Sequence, residues 1–248
     1  MSLVRLSTDS GIATVTLDRP DKRNALSPEL ITGLEEALAT IAENDSIRVM
    51  VLAGEGKSFC AGMDLRGVLD DAAKMAGMLH GLSRAMRSIR RLAIPTIAQV
   101  QGAAVGGGCG LAVVCDYAIS HPDAKLGYPE VELGVCPAVV APWLIRRLGA
   151  GRARGLLLAG GTMSGDAALE IGLVDELVAR DDLASHTAAF ATKLAKGGQQ
   201  ALAVTKHWLN ELEDSLVDPP FERAAQISAD VIAGDEAQQR LQAIFGTS

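Results

Sequence analysis

Short apolar runs alternate with longer stretches of helical periodicity along the first three quarters of the chain, and only the helical periodicity continues beyond. Val4–Leu6 and Ile12–Leu17 predict two strands joined by the turn Thr8-Asp9-Ser10-Gly11. Arg19-Pro20 ends the second strand. Ser27-Pro28-Glu29 carries a capping hydroxyl, a first-turn proline and an early acid, so it predicts a helix start. Leu30, Leu34, Ala37, Leu38 and Ile41 then recur close to the 3.6-residue period. Val49–Leu52 is a fully apolar strand. The order repeats with a helix over Met75–Leu92, a strand over Ile94–Val100, a short helix over Gly108–Cys115 and a strand over Tyr117–Ile119. Leu156–Leu158, the Gly160-Gly161 turn and Ser164–Ala168 begin another helix, and Val174–Val178 predicts a further strand.

Strand–helix alternation with continuously apolar strands implies an α/β core whose strands are largely parallel. From Leu183 onward the strands stop. Ala201, Thr205, Trp208 and Leu212 form a helical stripe, Asp218-Pro219-Pro220 breaks the chain, and Phe221–Ile232 and Glu236–Phe245 predict two more helices. The expected division is an α/β core over 1–190 and a helical region over 191–248, the latter forming a subunit interface.

Composition narrows the function. A length of 248 residues with 48% hydrophobic and 21% charged residues suits one large globular domain or a core with an appendage. A net charge of −7 argues against non-specific nucleic-acid binding. Cysteines at 60, 109, 115 and 136 include no Cys-x-x-Cys pair and are expected to be buried thiols in a reducing compartment. The four histidines are scattered, so no metal site is expected. Met1–Pro20 has no continuous apolar core, and Ile94–Val114 is interrupted by Pro95 and glycines. Neither a signal peptide nor a membrane span is expected, and the location expected is cytoplasmic.

Three nucleotide and hydrolase motifs fail. The Gly56-Lys57-Ser58 triplet lacks the first phosphate-loop glycine, its place being taken by Val51. Gly106 and Gly108 would need a glycine at Leu111 to complete a dinucleotide fingerprint. No Gly-x-Ser-x-Gly elbow occurs. What remains is backbone chemistry. Ser58–Leu65 and Gly102–Leu111 each place small residues where an apolar strand gives way to a turn, exposing main-chain N–H groups. The glycines opening the second helix cost about 1 kcal/mol each relative to alanine. Close packing of a buried helix explains them as well as an amide-lined anion site does.

Six motifs in order carry a family resemblance: Arg19-Pro20-x-x-x-Asn24-Ala25-Leu26, Ser58–Leu65, Gly102-x-x-x-Gly106-Gly107-Gly108, Cys115-Asp116-Tyr117, Pro129-Glu130-x-x-Leu133-Gly134 and Gly172-Leu173-Val174-Asp175. With them the chain resembles the enoyl-CoA hydratase/isomerase (crotonase) family over essentially its whole length. The resemblance implies a spiral of ββα units, then a helical trimerisation region, assembled as a homotrimer or dimer of trimers. It implies an acyl-CoA thioester as substrate, no separate cofactor and no metal. Ala61 and Gly107 would donate the two N–H groups of an oxyanion hole, and Glu130 would be the catalytic acid–base. Ala61, Gly62, Met63 and Asp64 would line the path of adenine and pantetheine, and Lys22 and Arg23 would approach the CoA phosphates. Residues 66–82 would shape a mobile acyl pocket.

One departure matters. Hydratases of the best-known type use two glutamates; the second matches Glu130, but the first falls on Gly110. The expected reaction is hydration of a 2-enoyl-CoA, with a branched or glutaconyl-type acyl group suggested by Val131–Pro142. The alternatives are a Δ3,Δ2-enoyl-CoA isomerase with a single glutamate, or a non-catalytic acyl-CoA-binding protein.

Overall fold

The computed structural model describes residues 3–69 and 71–246. Asp70, within the segment expected to shape the acyl pocket, lies outside the described residues, as do Met1 and Ser2 of the segment judged not to be a signal peptide. Strands β1 (Val4–Asp9) and β2 (Ile12–Leu17) form an antiparallel hairpin. Its turn places both Ser10 and Gly11 at positive φ, the geometry that matches the twist of the flanking strands. Helix α1 (Pro28–Ala42) starts at Ser27, whose hydroxyl accepts the Leu30 N–H at 3.3 Å. Strand β3 (Val49–Gly54), helix α2 (Ala72–Arg91) and strand β4 (Thr96–Gln99) follow, close to the predicted bounds.

Next come β5 (Ala104–Val105), α3 (Gly107–Val114), β6 (Tyr117–Ser120) and β7 (Lys125–Gly127). Helices α4 (Ala141–Leu148) and α5 (Ala150–Ala159) precede β8 (Thr162–Ser164), α6 (Gly165–Glu170) and β9 (Glu176–Leu177). Four helices complete the chain: α7 (Leu183–Ala195), α8 (Gln199–Leu212), α9 (Pro219–Ile232) and α10 (Asp235–Phe245). The main sheet runs in the order β1-β2-β3-β4-β6-β9 and is parallel from β2 onward. A small second sheet, β5-β7-β8, stands beside it.

Side-chain alternation along β3 divides the interior. Met50 and Leu52 face the main core, where α1, α2 and α3 pack. Val49 and Val51 face the opposite side, with Ile97 and Ile119, and are covered by α7 through Leu183 and Ala191. Phe190 of α7 meets Tyr117 edge-on at 4.9 Å. The C-terminal helices do not stand apart: Phe221, Ala225 and Ile232 of α9 and Leu241 of α10 join the main core.

Several family motifs are explained by architecture alone. Asp116 accepts the Thr96 N–H at 2.8 Å and the buried Lys206 ammonium at 2.7 Å, tying α8 to the start of β4. Burial lowers the Lys206 pKa, and the carboxylate opposes that shift. Asp175 accepts the Ala118 N–H at 2.7 Å and Arg147 at 2.6 Å.

Asn24 does most for the site. It is fully buried at positive φ, and its amide nitrogen lies within hydrogen-bond distance of the carbonyls of Ser58 (2.8 Å), Glu55 (3.0 Å) and Phe59 (3.2 Å). Its oxygen accepts the Arg19 N–H at 2.9 Å. One side chain thus fixes the turn leading from β3 into residues 60–64. Leaving such groups unpaired costs about 1–3 kcal/mol each. Asn24→Ala is therefore expected to lower unfolding free energy by at least ~2 kcal/mol in urea titration; an unchanged midpoint would contradict this role.

Candidate active site

Two turns from different parts of the sequence are sewn together at Cys60. Its N–H donates to the Ala103 carbonyl at 2.9 Å, and its carbonyl accepts the Val105 N–H at 3.0 Å. While Asn24 fixes the carbonyls of Ser58 and Phe59 just before them, residues 60–64 are held on their other side by a bridge to Leu26. There the Leu26 N–H donates to Gly62 O at 2.8 Å and the Asp64 N–H donates to Leu26 O at 2.9 Å. This pairing takes up the amides of Cys60 and Asp64.

The Ala61 N–H points away from the cavity partner expected of it. It donates to the Arg23 carbonyl at 3.0 Å, so the expectation that Ala61 supplies an oxyanion donor is corrected. The Met63 N–H, two residues on, donates to no carbonyl among the described residues. Gly107 is the first residue of α3, so its N–H has no acceptor within the helix, and none outside it is found among the described residues. Met63 and Gly107 line one cavity of about 160 Å³. The positive end of the α3 dipole lies there too.

Glu130 lines the same cavity. It sits in a 3-10 turn, Pro129–Leu133, opened by proline and closed by Gly134 at positive φ, whose N–H donates to Val131 O. Glu130 as a whole is only partly buried, but its Oε2 is shielded from solvent and has no hydrogen-bond partner. Burial pushes its carboxyl up from 4.5 to about 7, with a backbone hydrogen bond opposing the shift. The carboxylate reaches its place because residue 106 is glycine. Gly106 has φ +55°, and a Cβ there would lie 2.6 Å from Glu130 Oε1.

Position 110 has a different meaning. A Cβ on Gly110 would lie 2.5 Å from Met86 Cε and 2.6 Å from Val140 Cγ1. The space a second glutamate would enter is filled with apolar side chains, and among the described residues Glu130 is the one carboxylate that lines the cavity.

An outer cleft of about 600 Å³ adjoins the cavity, sharing Ala61, Met63, Leu65 and Phe245 with it. Arg19, Lys22, Arg23 and Arg66 line it, as do Asp21 and Asp64. Asp64 is held by Arg19 at 2.6 Å, whereas Lys22 and Arg23 form no ion pair among the described residues. Gly62 lines the inner cavity, not the cleft. Arg240 lies against Gly134 and reaches the Glu132 carbonyl at 3.5 Å, and it lines neither space. Glu132 also stays outside, beside Gly160. Of the 66–82 segment, Leu79 and Leu82 line the cavity.

Sequence reasoning did not anticipate the contribution of Ser228, Ile232 and Phe245 from α9 and α10. Periodicity marks their helices but not what they cover. No group of three or more metal-binding side chains, and no helix long and apolar enough to cross a membrane, occurs among the described residues.

A family model described as enoyl-CoA hydratase/isomerase matches residues 7–244. Among curated relatives, a crotonyl-CoA hydratase of Syntrophomonas wolfei is 32% identical over 91% of this chain and 86% of its own. A 1,2-epoxyphenylacetyl-CoA isomerase of Escherichia coli is 32% identical over 96% and 95%. The crystal structure of an enoyl-CoA hydratase from Bacillus halodurans superposes with a TM-score of 0.90, at 26% identity, over 98% of this chain and all of its own.

Two stability measurements follow from this geometry. The raised Glu130 pKa means the folded state holds its proton more tightly than the unfolded chain. The stability this provides is complete below pH 4.5 and is lost as pH rises through about 7. Glu130→Gln is therefore expected to match the wild type near pH 4 and to exceed it at pH 8, by up to about 3 kcal/mol. Melting curves at both pH values check this; equal curves at pH 8 would contradict it. Gly110→Ala is expected to destabilise by about 1–3 kcal/mol through overpacking, read in the same assay.

Proposed function

The chain belongs to the enoyl-CoA hydratase/isomerase family, and on that premise we propose that it adds water to a 2-enoyl-CoA thioester. Glu130 is the sole acid–base group in this reading. The observation that carries it is a shielded carboxylate with an unpartnered oxygen, lining one cavity with the unpaired amides of Met63 and Gly107. The thioester oxygen accepts both amides. As charge develops on it, these hydrogen bonds and the α3 dipole strengthen; losing one such donor costs about 2.7–4 kcal/mol in other enzymes.

In the ionised form Glu130 takes a proton from water as the water oxygen bonds to C3, and the C2–C3 double bond moves its electrons into the enolate. Glu130 then returns the proton to C2 and the carbonyl re-forms. A carboxyl with a pKa of about 7 is suited to both steps at neutral pH. CoA lies in the outer cleft, its phosphates near Lys22, Arg23 and Arg66. Asp64 serves as the partner of Arg19 in this reading, holding the turn and not the ligand.

The packed space at Gly110 favours a second reading. Two-acid hydration places water between carboxylates, whereas moving a proton from C2 to C4 needs one base and no water. Δ3,Δ2-isomerisation by Glu130 is that alternative, favoured by the Met86 and Val140 contacts.

The assembly belongs to the same proposal: a homotrimer or dimer of trimers in the cytoplasm. Support comes from the exposed apolar face of α8, with Val204, Trp208, Leu209 and Leu212 all more than half exposed.

Purified protein with crotonyl-CoA should show loss of conjugated-enoyl absorbance. Glu130→Gln should lower kcat by about 10²–10⁴-fold while acyl-CoA binding persists. Conversion of a 3-enoyl-CoA without hydration would select the isomerase. Binding with no turnover of any enoyl ester would leave a non-catalytic acyl-CoA-binding protein, and full activity in Glu130→Gln would remove the assigned role.

A further inference from the structure

Charge and size divide the two connected spaces sharply. The cationic side chains that could meet an anionic ligand, Lys22, Arg23 and Arg66, all line the outer cleft. Among the described residues no Lys, Arg or His lines the inner cavity. The ionisable groups among its described lining residues are Glu130 and the Cys136 thiol, and the thiol pKa is itself raised by burial. The hydroxyl of Ser228, also on the wall, is already committed to the Cys136 carbonyl at 2.8 Å.

The inner part of the wall is core. Leu79 and Leu82 come from α2, Val139 and Val140 from the segment before α4, and Ile232 from α9; all are nearly or fully buried. These five residues cannot swing aside for a longer ligand, because each is packed from behind. Its volume of about 160 Å³ is close to that of an engineered apolar cavity in another protein, ~150 Å³, which takes one benzene.

We infer that the acyl group accepted here is short and uncharged, about four to six carbons in all, and that esters ending in a second carboxylate, the glutaconyl type, are rejected. This inference rests on the thioester reading above and adds a substrate class to it. A terminal carboxylate in the cavity would be stripped of water with no cation to meet it, and it would face Glu130. A chain of eight or more carbons would have to displace packed core. The suggestion from Val131–Pro142 of a glutaconyl-type substrate is at odds with this lining, whereas a small branched acyl group remains compatible with it.

The test is a turnover series on crotonyl-, 3-methylcrotonyl-, hexenoyl-, octenoyl-, decenoyl- and glutaconyl-CoA. A parallel calorimetric series on butyryl-, decanoyl- and glutaryl-CoA needs no chemistry. Values of kcat/KM should be highest for esters of four to six carbons and at least about tenfold lower for decenoyl-CoA, the order of discrimination one misfitted methylene can give. Glutaconyl-CoA should fall at least as far, and butyryl-CoA should bind more tightly than glutaryl- or decanoyl-CoA. Val139→Ala should raise the octenoyl-to-crotonyl ratio several-fold, and the milder Ile232→Val should move it the same way. A flat profile, a maximum at decenoyl-CoA, or glutaconyl-CoA equal to crotonyl-CoA would overturn the filter while leaving the thioester reading intact. Absence of turnover on every ester would instead remove that reading. The binding series would then decide the filter alone, equal affinities counting against it.

Discussion

Two hydrogen bonds at one residue determine whether this molecule has a site at all. Cys60 donates to Ala103 and accepts from Val105, joining a turn that follows β3 to the strand that leads into α3. Everything chemical is positioned from that seam. Three residues beyond Cys60 stands the unpaired Met63 amide; two residues beyond Val105 stands Gly107. Neither amide depends on a side chain for its direction. Their relation is as rigid as the packing around them, which is the condition for stabilising charge without reorganisation. Asn24 serves the same end from outside, pinning three carbonyls of the approach to the turn.

The site combines an expensive element with an economical one. The Glu130 carboxyl is desolvated and its Oε2 unpartnered, which disfavours ionisation and costs stability at alkaline pH. The amides are exposed by the pattern of backbone pairing and add no buried charge. At Gly110 the molecule carries no second acid, and Met86 and Val140 close the space. One carboxyl poised near neutrality can both take and give a proton, so the apolar packing is compatible with catalysis by a single acid–base group.

Much of the framework was legible in the chain. The hairpin followed from Ser10-Gly11, the start of α1 from Ser27-Pro28, and the parallel core from the unbroken apolar run of β3. The small sheet was not, because β5, β7 and β8 are two or three residues long and too short for periodicity to register. Helices α4 and α5 were hidden by arginines at 146, 147, 152 and 154 and by glycines at 149, 151 and 155. In the site, Glu130 was singled out by motif, and the structure sets it in the cavity with Gly107. The other amide was placed two residues early. Composition shows that 61–64 is a tight turn, but which amide stays unpaired depends on the Arg23 carbonyl arriving from elsewhere in the fold. The absent carboxylate at 110 was visible; what occupies its space was not, because Met86 and Val140 are distant in sequence.

The most direct measurement is a crystal structure of the protein with acetoacetyl-CoA, whose enolate mimics the charge developed in the reaction. The thioester oxygen should lie about 2.7–3.1 Å from the main-chain nitrogens of both Met63 and Gly107, with the Glu130 carboxyl against C2, the carbon between the two carbonyl groups. An oxygen bound at the Ala61 nitrogen, or turned away from Gly107, would contradict the account.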